Sequence, residues 1–185
     1  MLTEDYIMRM INQALAVFLA ALGLKKAGQY HQAQQSFDQA MEGLLGLRAD
    51  LVNQLEDRQL LDLLTFRDRL DIERLLLLAD IYHEKGEVYA LQGQPGESTL
   101  AAQRSLRLYL EAALAGDTNL TIELVRKIEA QRNGLSTPDL PAETRLALMD
   151  YFDRMLTSRD DFLVEVGLTR GELQEEMDAL DSGEV

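Results

Sequence analysis

The chain contains no cysteine and no tryptophan, and it has only three prolines among its 185 residues. The absence of cysteine excludes a disulfide framework, a thiolate zinc site and a cysteine nucleophile. The scarcity of proline, together with abundant leucine and alanine, favours helix. Since no stretch alternates apolar and polar residues over a useful length, the sequence predicts an all-α protein.

Positive charge is also scarce, because the chain has 18 lysines and arginines but 32 acidic residues, which gives a net charge of -14. Such a chain repels phosphates and anionic lipids, so we expect neither nucleic acid nor a membrane as a partner. The main apolar run, 14–24, is shorter than the roughly 17 to 25 residues that span a bilayer. Glu4 and Asp5 stand where a secretory signal needs basic residues, so we expect a cytoplasmic protein.

The most specific pattern lies in the segment 28–41, where a glycine is followed by aromatic and small residues at helical spacing. Its members are Gly28, Tyr30, Ala33, Phe37 and Ala40. This spacing resembles the second half of a tetratricopeptide (TPR) repeat, a pair of antiparallel helices. The resemblance implies that these residues pack a helix against the one before it, with Ala33 and Ala40 buried.

A partial second match begins at 78–86 and resumes at Ser105, Tyr109 and Ala112. Its glycine, Gly86, lies 58 residues after Gly28 (86 minus 28), whereas TPR units recur at about 34 residues. The expected architecture is therefore a set of antiparallel helical hairpins with an irregular repeat. The segment 5–11, Asp-Tyr-Ile-Met-Arg-Met-Ile, also looks like the start of an uncharacterised family of bacterial helical proteins, which implies no activity.

Turn residues divide the chain into about eight helices. We expect a TPR-like hairpin domain over 1–134, an acidic helical segment packed on it over 135–180, and a frayed tail at 181–185. The eight expected helices cover about 3–26, 29–47, 50–67 with a fresh turn at Asp57, 72–91, 98–115, 120–132, 141–156 and 170–180, and a short additional helix covers 160–166.

Candidate chemistry is confined to the predicted helix 72–91, where Asp80 and His83 lie three residues apart and Glu84 follows. Metal sites in helical bundles use such spacing, but they need the pair twice, and the chain has only two histidines. No nucleophile–base pair and no phosphate-binding glycine motif is recognisable. We therefore expect no catalytic residues, no metal and no cofactor.

The same helix supplies candidate partner-binding residues, if it corresponds to the first helix of a TPR unit. The resemblance then implies that Glu73, Leu76, Asp80, His83 and Glu84 face the binding groove. TPR domains that hold a terminal carboxylate use lysine and asparagine there, so these acids favour a basic protein partner.

The leading interpretation is a non-enzymatic, TPR-like module that binds a protein partner or itself. The apolar segment 14–22 of the first helix is either a central core helix or one side of a homodimer; because one neighbouring helix cannot cover all of its apolar surface, we expect a homodimer. The alternative is a helical-bundle ligand-binding protein, or a metal-assisted enzyme that uses Asp80, His83 and Glu84. A third option is that the segment 140–185, with twelve acidic and four basic residues, docks onto a basic partner.

Overall fold

The computed structural model describes residues 2–116 and 120–182. Nearly all of the regular structure in those residues is α-helical, which confirms the all-α prediction. The elements are α1 (Leu2–Lys26), α2 (Tyr30–Leu45), α3 (Ala49–Gln54), α4 (Asp57–Leu63), β1 (Thr65–Phe66), β2 (Arg69–Leu70), α5 (Ile72–Leu91), α6 (Pro95–Leu114), α7 (Ile122–Asn133), a 3-10 turn (Thr137–Asp139), α8 (Ala142–Leu156), α9 (Asp160–Val166) and α10 (Arg170–Ser182).

The single helix predicted over 50–67 is wrong, because that segment holds α3, α4 and the start of a small β-hairpin. A new helix begins after Glu56, whose backbone N–H donates to the side chain of Gln59 at 2.9 Å. Arg67 and Asp68 then adopt positive φ angles of 51° and 59°. Two such residues in succession form the tight turn that reverses the chain between paired strands.

α1 and α2 form an antiparallel hairpin, with a short turn in which Gly28 has a φ of +73°. Glycine adopts this left-handed conformation without steric cost. The rings of Phe18 and Phe37 lie 5.8 Å apart between the two helices. Ala33 and Ala40 are completely buried, as the sequence pattern predicts.

α5 contacts both helices of this hairpin, and α6 packs back against α5. The N-terminus of α5 is capped by Asp71, whose carboxylate accepts a hydrogen bond from the backbone of Arg74 at 3.1 Å. The approach of α6 is close at Gly86, where an added Cβ would lie 3.3 Å from the carbonyl oxygen of Ser98. Ser105, fully buried on α6, donates a hydrogen bond to the carbonyl of Ala79 at 2.9 Å.

The chain divides into two compact units, Met1–Leu108 and Tyr109–Val185, and the division falls within α6. The sequence predicts a later boundary, between 134 and 135, where a proline-containing linker interrupts the helices. Within the C-terminal unit, α8 and α10 pack together and α7 contacts α9. Residues 181 and 182 belong to α10 rather than to a frayed tail, and residues 183–185 lie outside the described part of the chain.

Candidate functional site

Two of the predicted partner-binding residues, His83 and Glu84, lie in an ion cluster between α1 and α5. The Nζ atom of Lys25 lies 2.6 Å from a carboxylate oxygen of Glu84 and also contacts Glu87. His83 Nε2 lies 3.8 Å from the other oxygen of Glu87. Because Lys25 is at the end of α1, these contacts join the first hairpin to α5.

The electrostatics of this cluster favour its charged form. Burial lowers the pKa of Lys25, but Glu84 and Glu87 raise it more, so the net pKa lies above the ordinary value for lysine. Burial likewise raises the pKa of Glu87, and Lys25 lowers it more, so the net pKa lies below the ordinary value. The ammonium of Lys25 and the carboxylate of Glu87 therefore stabilise each other's charged form.

The cluster also contains the arrangement that most resembles a metal site among the described residues. Ligand atoms of His83, Glu84 and Glu87 all lie within 4.8 Å of one another. Lys25 already supplies a cation to both carboxylates, so a metal ion would have to compete with a covalently attached ammonium group. Asp80 is not a member of this trio, and Glu73 is exposed earlier on the same helix.

A second polar cluster borders a cleft of about 220 Å³ between α5 and α6. Lys85 is almost completely buried, and its ammonium lies 2.5 Å from Asp38 of α2. Arg104 donates to Asp57 at 3.1 Å, to the hydroxyl of Tyr82 at 3.1 Å and to the carbonyl of Leu55 at 2.6 Å. The cleft is lined by Asn53, Tyr82, Lys85, Tyr89, Glu97, Leu100, Ala101 and Arg104.

The charged groups of this cleft are engaged in holding helices together. The carboxylates of Asp38 and Asp57 neutralise Lys85 and Arg104, respectively. Burial raises the pKa of Tyr82, and the nearby Arg104 only partly offsets that increase, so the phenol stays protonated at neutral pH. The cleft is also smaller than the roughly 300 to 1,000 Å³ of typical ligand pockets. Its geometry fits a structural network better than a ligand site.

The C-terminal unit contains a comparable network around Arg132. This guanidinium contacts Glu129 at 2.8 Å and Glu176 at 3.0 Å, and it lies 5.5 Å from the centre of the Phe152 ring. Tyr151 donates to Glu129 at 3.1 Å, and burial, followed by the charge of Glu129, raises the pKa of its hydroxyl strongly. These contacts connect α7, α8 and α10.

The last candidate is the outward side of α1, which is largely apolar but exposed to solvent. Phe18 is 7% exposed on the inner side, whereas the adjacent Leu19 is 57% exposed. At 3.6 residues per turn, the residues of this outward side span an arc of roughly 100° around the helix axis. We call them the α1 strip: Asp5, Met8, Asn12, Leu15, Ala16, Leu19, Gly23 and Lys26, all of which are exposed.

α1 is also long and apolar enough, by length and composition, to cross a membrane. The stretch Asp5–Lys26 contains a window with a mean hydropathy of 1.7, and 17% of that window is buried. The run 14–24 alone therefore underestimates the apolar length of this helix, because α1 also includes apolar residues on either side of the run. Core helices and signal sequences share these properties, so they do not identify a location.

Sequence reasoning missed the lysines and arginine that hold these clusters together. No role was predicted for Lys25, yet it binds Glu84 and Glu87. The burial of Lys85 could have been predicted, since it lies seven residues after Leu78 and three residues after Tyr82 on the buried stripe of α5.

No protein-family model, curated protein or solved structure matches the chain.

Proposed function

We propose that this chain is a non-enzymatic, TPR-like protein–protein interaction module whose docking surface is the α1 strip. The observation that carries this proposal is the contrast between the two sides of α1. Its inner side is packed against α2 and α5, while Met8, Leu15 and Leu19 remain exposed on the outer side. Together they expose on the order of 300 Å² of side-chain surface, about the size of the largest apolar patch on a typical monomer, which is often a functional surface.

The charged clusters support a binding module over an enzyme. Lys25, Lys85 and Arg104 are each bound to carboxylates from other helices. Glu84, one of the acids expected to attract a basic partner, is itself bound to Lys25. A groove for a basic segment on α5 is therefore a weaker candidate than the apolar side of α1.

Photo-crosslinking in the cells that express the protein tests this proposal. Benzoylphenylalanine at Leu19 would sit in the α1 strip, whereas the same residue at Leu100 or Val164 would occupy exposed apolar positions outside it. We expect adducts of defined mass at Leu19 that neither control position gives. The same faint, unspecific labelling at all three positions would refute the proposal.

A further inference from the structure

We propose that the α1 strip binds the same strip of a second copy of this chain, with the two α1 helices antiparallel. This inference rests on the proposed function, since it names the partner of that docking surface. A two-fold symmetric interface must be complementary to itself, because each copy contributes the same residues. The α1 strip meets that condition in one register.

In this register, residue n of one helix lies opposite residue 31 − n of the other. Every member of the strip then faces another member, so no buried residue of α1 is brought into the interface. Leu15 lies opposite Ala16 on either side of the two-fold axis, and Met8 lies opposite Gly23. Large side chains thus face small ones, which allows the close approach that helix pairs need. Asn12 faces Leu19, and this polar residue opposite an apolar one lowers the affinity of the pair.

The charges of the strip favour the antiparallel arrangement. Asp5 at one end of the strip lies opposite Lys26 at the other, and symmetry repeats this pair at the far end of the interface. The two helix dipoles also oppose each other in this arrangement. A parallel pair would instead place Asp5 against Asp5 and Lys26 against Lys26, so like charges would meet at both ends.

The size of the strip predicts a weak, reversible dimer. From Asp5 to Lys26 the helix rises about 32 Å, since each residue adds about 1.5 Å. A contact of this length along one helix buries on the order of 400 to 500 Å² per copy, a total below the roughly 1,200 Å² of stable specific interfaces and in the range of weak, transient ones. We therefore expect dissociation in the micromolar range.

A membrane is a poorer occupant of the same surface. α1 could cross a bilayer only by withdrawing Phe18 from Phe37 and Lys25 from Glu84. For binding flat on a membrane, the strip lacks the aromatic and multiple basic residues that interfacial helices use. The net charge of -14 would also be repelled by anionic lipids.

Sedimentation of the full chain from about 1 to about 200 µM tests the association. We expect the mass to rise from 20.9 kDa toward twice that value. Leu19→Glu should raise the dissociation constant at least about tenfold, because a carboxylate would be buried in the contact. Leu100→Glu, also at an exposed leucine, should leave the constant unchanged. A wild-type mass of 20.9 kDa at every concentration would overturn the inference.

The absence of cysteine allows the register to be tested by disulfide formation in single-cysteine variants. Ala16→Cys lies beside the two-fold axis and should cross-link. Met8→Cys alone should not, because the two sulfurs would be about 22 Å apart, far beyond disulfide reach. Met8→Cys combined with Gly23→Cys should cross-link between copies. Efficient cross-linking of Met8→Cys alone would indicate a parallel pair and overturn the proposed arrangement.

Two further results separate this inference from the proposed function. If the chain stays monomeric while benzoylphenylalanine at Leu19 captures a different protein, the self-association is wrong and the docking surface stands. If Leu19 captures no protein, and the chain instead sediments with phosphatidylcholine–phosphatidylserine vesicles unless Leu19→Glu is present, both are wrong. Adducts at Leu19 composed of two copies of the chain would support both.

Discussion

The pair formed by Lys85 and Asp38 provides a test in which the two partners should respond unequally to substitution. The side chain of Lys85 is only 3% exposed, whereas that of Asp38 is 40% exposed. Asp38→Ala would leave an ammonium group buried without its carboxylate. Lys85→Met would instead leave a carboxylate that water can reach, and it would fill the vacated space with an apolar side chain of similar length.

The expected magnitudes follow from this difference in burial. Removing one partner of a fully buried ion pair costs about 3 to 5 kcal/mol. Water near Asp38 reduces that cost, and alanine is favoured over aspartate in a helix by about 0.5 kcal/mol. We therefore expect Asp38→Ala to lower the free energy of unfolding by about 2 to 3 kcal/mol. Lys85→Met should change it by less than about 1 kcal/mol, since water can solvate the Asp38 carboxylate that remains and no unpaired charge is left buried.

Urea denaturation at pH 7, followed by far-UV circular dichroism, measures these effects. Hydrogen exchange of amides in α2 and α5 provides a second measure, because two compact units need not unfold together. Asp50→Ala is the matched control, since it removes one partner of an exposed pair with Arg48 and should cost less than about 1 kcal/mol. If Lys85→Met costs more than Asp38→Ala, the argument from burial is wrong.

Three other predictions follow from the packing and the ion clusters. Lys25→Met should lower the free energy of unfolding by about 1 to 2 kcal/mol at pH 7. Because the pKa of Glu87 is lowered and that of Lys25 is raised in the folded protein, the stability difference between wild type and variant should shrink as pH falls below 4.5 or rises above 10.5. Denaturation of both proteins across this pH range measures the difference. Gly86→Leu should cost about 1 to 3 kcal/mol by pushing α5 away from the backbone of α6, and an unchanged thermal midpoint would contradict that close approach. Tyr151→Phe should lower the free energy of unfolding by about 1 kcal/mol, because Glu129 loses a hydrogen bond in a half-buried setting. A decrease as large as that caused by truncating a core side chain would show that the hydroxyl does more than donate this hydrogen bond.

The sequence was most predictive where local interactions define an element. α5 begins and ends at the predicted residues, because Asp71 caps its first turn through its own carboxylate. α9 is likewise bounded as predicted, and Gly167 ends it with a φ of +77°. In the segment 50–67 the leucines recur at helical spacing, which predicted a single helix, whereas the positive φ angles of Arg67 and Asp68 at its end carry no strong sequence signal.

The candidate sites were less predictable, because their contacts join residues that are distant in sequence. Lys25 and Glu84 are 59 residues apart, and Lys85 and Asp38 are 47 apart. No local pattern pairs them, so the acids of α5 were interpreted as available to a partner when Glu84 was already bound. The apolar character of α1 was evident from the sequence, but which side of the helix remained uncovered depended on where α2 and α5 pack.

The uncovered side of α1 also explains why self-association through it should be weak and sensitive to a single substitution. Burying on the order of 500 Å² of apolar surface across two copies gains about 12 kcal/mol at 25 cal/mol per Å². Association itself costs about 4 to 15 kcal/mol in lost motion, so most of that gain is offset. The net free energy then lies between about 8 kcal/mol in favour of the dimer and about 3 kcal/mol against it, so one leucine side chain, which contributes about 1.5 to 3 kcal/mol, is a large part of the balance. Since symmetry places Leu19 in the contact twice, Leu19→Glu removes two such contributions and buries two charges, which is enough to separate the copies without disturbing the inner side of α1.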